Sequence, residues 1–211
     1  MEISLEYRPL VGRARFAKAG VVLSASFNVF LAGTLLAQAL AFGGPLEAAP
    51  DGPAKTVVAL SMCCSGLGVI GSLFLSATFF LLWFHRATHN ARARGHDLTF
   101  SPGEAVGMWF VPFVNLVRPY QMMGELDRAT ANDDRDDAVL HTAGDVGLWW
   151  GLWVVGGLLG WTGQLEALGV LGNAIGLCAA AATRVACAVV VLRIVDRITR
   201  RLEGESIPTQ F

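Results

Sequence analysis

The 211 residues are 54% hydrophobic and only 16% charged, with a mean hydropathy of +0.51, whereas an average soluble domain carries about 25% charge. The net charge of −1 hides strong segregation along the chain, so it argues for neither nucleic acid nor an acidic substrate. An ordinary soluble globular domain is excluded, and a membrane protein is expected.

Residues 1–18 form a polar lead with Arg8, Arg13, Arg15 and Lys18. The first apolar run, 19–42, is too long for the ~7–15-residue core of a signal peptide and reads as a membrane helix. Gly and Pro residues between Gly43 and Pro53 make a turn, and the second run follows at 57–84. Residues 85–145 are the only long polar insert. Runs at 146–162 and 167–192 follow, joined by the short link Gly163-Gln164-Leu165-Glu166, which forces an antiparallel hairpin. Each run is near or above the ~20 residues that a helix needs to cross a ~30 Å hydrocarbon core.

The expected fold class is an all-α integral membrane protein. Its first hairpin occupies 19–84, its second 146–192, and its C-terminal tail 193–211. Lys55 lies between the first two runs and Arg184 inside the fourth. Every other Lys and Arg falls in 1–18, in 85–145 or after 192. The positive-inside rule therefore expects four crossings with both termini cytoplasmic, in the inner membrane of a cell.

The insert opens with a helix start. Ser101 is placed as N-cap, Pro102 takes the first helical position, and Glu104 completes a capping box. The apolar stretch to Val117 covers only about 20 Å, too short to span. A helix over 102–117, kinked at Pro112, is expected at the cytoplasmic interface, ended or redirected at Arg118-Pro119. Trp109, Phe110 and Phe113 should bury one face. Asn115, Arg118, Tyr120 and Gln121 should gather at headgroup level, with Arg118 on an anionic lipid, a partner carboxylate, or Glu104, Glu125 or Asp127. The acidic residues after it, Glu125, Asp127, Asp133, Asp134, Asp136 and Asp137, read as a short amphipathic helix and a solvated loop. They lack the ligand alternation of an EF-hand.

The string from Phe100 to Gln121, F-S-P-G-x-A-V-G-x-W-F-V-P-x-x-N-L-x-R-P-Y-Q, resembles the hallmark of bacterial membrane proteins grouped as domain of unknown function 4328. Leu82 to Ala87, Asn90 and Gly147-Leu148-Trp149-Trp150 resemble the same family, over about 57–200. The resemblance implies an integral membrane protein with two helices on either side of the motif. It implies no activity.

Arg184 is the main candidate functional residue, about 13 Å inside Arg193, which marks the end of its span. A charge at that depth normally faces the bundle interior with a partner. Asn28, Gln38, Asn173, Asn115, Glu104 and Asp145 are the candidates, and snorkelling towards the headgroups is the alternative. His85, His89, His96 and His141 all lie in the insert. His85 and His89 share a helix face, but Arg86 stands where a zincin needs Glu, so they read as interfacial. Cys63, Cys64, Cys178 and Cys187 read as small buried residues. Trp83, Trp149, Trp150 and Trp161 read as interface anchors, with Trp153 one turn deeper. Gly147/Gly151, Gly156/Gly160 and Gly172/Gly176 read as close helix packing, with homo-oligomerisation open.

No cofactor, metal site, catalytic set or nucleic-acid partner is expected. The leading functional reading is a non-enzymatic docking or accessory protein whose cytoplasmic motif meets lipid, through anionic headgroups, or a protein partner. The alternatives are a small transporter or channel subunit built around Arg184, and a membrane-embedded enzyme or redox protein.

Overall fold

A computed structural model describes residues 6–43, 46, 50–131, 136–161 and 168–204, the side chains of 136–143 excepted. Among them are six α-helices and no strand: α1 Val11–Phe42, α2 Pro53–Ala93, α3 Pro102–Gly107, α4 Arg118–Ala129, α5 Asp136–Trp161 and α6 Gly169–Gly204. Helices α1, α2 and α6 are long and apolar enough to cross a membrane, which makes the chain a multi-pass membrane protein. Helix α5 has 26 residues and no charge from Val146 to Trp161. Gln164 and Glu166 of the short link, Asp133 and Asp134, and the side chains of Asp136, Asp137 and His141 lie outside the described residues.

The long helices overrun the apolar runs that seed them. At 41 residues, α2 is about 60 Å long, twice the hydrocarbon thickness. Its polar end therefore continues as helix through His85 and His89. Glycine stops it: Gly95 sits at φ +85°, Gly95 N–H donates to Arg92 O at 3.0 Å and His96 N–H to Ala91 O at 3.1 Å. These two bonds are those of a Schellman cap, which needs a left-handed residue at this position.

Two compact units share these helices. The first holds residues to Ala19, Ala77–Trp150 and from Val190 onward. It has a conventional core of large side chains, with Leu10, Trp83, Phe84, Met122, Met123, Leu126, Ile194 and Ile198 almost completely buried. Among the described residues it also carries every Lys and Arg except Lys55 and Arg184. Trp83 and Trp149 are core residues rather than interface anchors. The Trp83 indole N–H donates to Thr199 Oγ1 at 3.1 Å, and both rings pack at a tilt against Phe80. A buried indole usually keeps its N–H bonded, and here a helix neighbour supplies the acceptor.

The second unit, Gly20–Ser76 and Gly151–Val189, buries mainly small residues: Ala32, Ala39, Ala174, Ala180, Ser65 and Ser72. Its large apolar side chains face outward, including Leu40, Leu67, Phe74, Leu158 and Trp161. That inversion is the packing expected in lipid, where apolar surface gains nothing by hiding and backbones approach over small residues. Cys63 and Cys64 are exposed on this surface, contrary to their expected burial, because α2 turns that face outward. Trp161 is 75% exposed at the end of α5.

Candidate functional site

The expected single helix over 102–117 does not form. Ser101 Oγ accepts the Glu104 N–H at 3.2 Å, and Glu104 Oε2 accepts the Ser101 N–H at 2.7 Å, so the capping box forms as the sequence specifies. The Ser101 N–H, then its hydroxyl, then the nearby Arg118 charge hold the Glu104 carboxyl below its ordinary value. The helix then stops at Gly107. Pro112 breaks the chain instead of kinking a helix, because it has no N–H to donate and it restricts Val111 as well. Val114 N–H donates to Pro112 O at 2.7 Å, closing a three-residue turn around Phe113 at φ 62°, ψ −38°. That is the strained γ-turn of positive φ, sparsely populated for any L side chain. A 3-10 turn, Val114–Leu116, leads into α4, whose start carries Pro119. Arg118-Pro119 thus begins a helix rather than ending one.

Several contacts hold this strained segment. The Trp109 ring meets Phe80 at 5.7 Å, Trp149 at 6.4 Å and Trp150 at 6.3 Å between centroids. The Trp150 indole N–H donates to Leu116 O at 3.0 Å. Upstream, Arg92 Nη1 donates to the carbonyls of Leu98 and Phe100. The Thr99 backbone N–H and hydroxyl both donate to the Glu125 carboxylate. The aromatic trio does not share a face: Trp109 turns inward, while Phe110 is 72% and Phe113 85% exposed. Val111, Leu116 and Val117 are exposed beside them, as are Arg118, Tyr120 and Gln121. Arg118 Nη1 donates to Gln121 Oε1 at 3.4 Å. Of the expected internal acids, Glu125 is engaged by Thr99 and Asp127 by α6, while Glu104 feels the Arg118 charge. Asn115 is half-buried in the 3-10 turn, its N–H on Val111 O at 3.0 Å.

Sequence reasoning missed a charge cluster. Asp127, expected on a short amphipathic helix ahead of a solvated loop, is completely buried. Its carboxylate takes a fork from Arg197, Nε at 3.2 Å and Nη2 at 2.7 Å, and Nη1 of Arg201 at 3.0 Å. Arg201 Nη1 also reaches Asp127 O, and Arg197 Nη1 donates to Asp145 Oδ2 at 2.6 Å. Side chains from α4, α5 and α6 are thereby joined. A signal was present: Met122, Met123 and Leu126 mark the buried stripe of α4, and Asp127 sits within it, while Arg197 and Arg201 are one turn apart. Asn90 belongs to the same kind of scaffold, its buried amide bonded to both backbone groups of Arg8.

In the second unit, Arg184 lines a cavity of about 590 Å³ with Asn28, Gln38 and Asn173. The Cys178 thiol lies 3.9 Å from Ala32 O, which fixes the register of antiparallel α1 and α6. Counting from that pair, Asn28 lies within about 3 Å of the Arg184 level, and Gln38 nearly level with Asn173. Of the expected partners, Asp145 is taken by Arg197, and the Asn28 amide donates to Ser24 O at 2.8 Å. Among the described residues Arg184 makes no hydrogen bond or ion pair. The Gly156/Gly160 pair serves this side chain. A Cβ on Gly156 would lie 3.5 Å from Arg184 Cγ, and one on Gly160 would lie 3.4 Å from its Nη2. Around Gly147 and Gly151 a Cβ would meet open space.

Among the described residues no group of three or more His, Cys, Asp or Glu could hold a metal ion. No curated protein and no solved structure matches the chain. The family model described as domain of unknown function (DUF4328) matches residues 48–200, taking in the motif segment, Asp127, Asp145 and Arg197 of the buried charge cluster and most of the Arg184 cavity, and the chain belongs to that family.

Proposed function

We propose that the protein is a non-enzymatic docking or accessory protein of the inner membrane, and that its motif segment is the docking element. In this reading α1, α2, α5 and α6 cross the bilayer as two hairpins. Both termini and the motif lie on the cytoplasmic side, as the segregation of Lys and Arg favours. The motif does not cross. It seats Phe110 and Phe113 in the cytoplasmic leaflet and holds Arg118 at phosphate level, where a guanidinium suits anionic headgroups. The anchored segment then offers a fixed surface to a protein partner.

The carrying observation is Phe113. A bulky apolar residue at positive φ, 85% exposed, has neither a conformational nor an intramolecular packing reason to be there. Such strain persists only where surrounding structure enforces it, and it concentrates at functional segments. Here the Trp109 cluster and the Trp150–Leu116 bond enforce it.

The test is a polarity-sensitive fluorophore on Phe113→Cys, in a background with the four native cysteines replaced, reconstituted into vesicles containing phosphatidylglycerol. Blue-shifted emission, quenched by nitroxide lipids and protected from aqueous iodide, is expected. Arg118→Gln should weaken the quenching. Water-like emission with full iodide access would overturn the reading.

A further inference from the structure

We propose that the Arg184 cavity is a binding site for a single-chain amphiphilic monocarboxylate, with the carboxylate on Arg184 and Asn28 and the chain lying along the cavity. The inference concerns the second unit alone and does not depend on the docking role of the motif.

The direction of the side chain carries the argument. Snorkelling would turn Arg184 towards the charged end of α6, nine residues away at Arg193. It runs the other way. Its Cγ lies beside Gly156 and its Nη2 beside Gly160, one turn further along α5 and away from that charged end. Side chains on a helix lean towards its N-terminus, and the two glycines leave the space for this one to do so. The guanidinium is therefore presented to the cavity, without a protein acceptor among the described residues. A charge placed at such depth is costly unless something answers it.

The lining defines what answers it. Among the described residues lining the cavity Arg184 is the sole Lys or Arg, so one negative charge is matched and a phosphate dianion is not. A carboxylate accepts the planar fork through two parallel bonds, and Asn28 stands near the same level to orient it. Between this tier and the Gln38/Asn173 tier, ten residues along α1 or about 15 Å, the walls are apolar, including Leu35, Met62 and Leu177. The volume lies within the range of small-ligand sites. An extended chain of about laurate length fits between the tiers.

The experiment is binding of radiolabelled laurate to the full chain in phosphatidylcholine nanodiscs, with thermal unfolding of each variant as a fold control. Saturable 1:1 binding is expected, displaced by unlabelled laurate but not by dodecanol or acetate. Arg184→Gln should weaken it about tenfold or more, the loss of a charge-assisted pair, and Arg184→Lys should weaken it less. Leu35→Trp, which fills the apolar stretch and leaves the charge, should abolish it. Unchanged binding in Arg184→Gln or in Leu35→Trp would overturn the proposal. So would equal competition by dodecanol or acetate, or displacement by phosphatidylglycerol without saturable laurate binding.

Discussion

Removing the charge of Asp127 gives the sharpest test of how the first unit is held together. Asp127→Asn keeps the side-chain volume, so no cavity forms, but it removes the negative charge facing two guanidinium groups. Three N–H bonds at 3.2, 2.7 and 3.0 Å lose their ionic acceptor. Asp127 is 1% exposed, against 19% for Arg197 and 21% for Arg201, so water replaces the lost partner poorly. Breaking a buried pair from one side costs about 3–5 kcal/mol. The low end applies, because Arg197 keeps Asp145 at 2.6 Å and Arg201 keeps the Asp127 carbonyl. A loss of about 3 kcal/mol corresponds to a Tm lowered by about 10 °C in a chain of this size. Lys18–Asp196 supplies the control: 2.6 Å apart but 33% and 49% exposed, it should contribute at most about 1 kcal/mol. The assay is tryptophan-monitored thermal unfolding in detergent, since Trp83 and Trp149 pack in the same core. At about 1 M salt the Asp196→Asn effect should vanish and the Asp127→Asn effect persist, because buried pairs are screened less. A shift for Asp127→Asn no larger than that for Asp196→Asn would refute the reasoning.

Phe113→Gly should raise stability by about 1 kcal/mol, because glycine adopts the positive φ without the strain of a Phe; the same variant should lose contact with nitroxide lipid, and a lower Tm would remove the argument from strain. A methyl on Gly68 would collide with the Phe27 ring. Gly68→Ala should therefore destabilise by about 1–3 kcal/mol, and Phe27→Ala in the same chain should recover part of the loss in unfolding experiments. The depressed Glu104 carboxyl stabilises the α3 start above the ordinary pKa of a glutamate, and that contribution fades as pH falls through the lowered value. Glu104→Gln, which can still form the capping box, should flatten that acid-side dependence of Tm, and an unchanged pH profile would show that the Glu104 charge does not contribute.

Local signals in the sequence specified the capping box at Ser101, the membrane-crossing length of three helices and the family. Each depends on spacing within one segment: a side chain reaching back three residues, or about 20 apolar residues in succession. Pro112 was legible as a disruption, but not as a γ-turn with Phe113 outward. That outcome depends on Trp109 finding Phe80 and Trp149, which come from two other helices. The end of α2 also ran past its apolar run, since nothing in 85–93 breaks a helix before Gly95.

The segregation of charge and the apolar runs were thus sufficient for the class of protein. Which charges pair was decided only in three dimensions. Asp127, Asp145, Arg197 and Arg201 meet because α4, α5 and α6 bring their faces together, and no spacing along the chain encodes that. Depth along the chain marked Arg184 as unusual, but the direction of its side chain was settled by two glycines on a neighbouring helix. A sequence fixes periodicity and length, which are one-dimensional. Pairing, burial and side-chain direction depend on the shape of the cavity that the other helices leave.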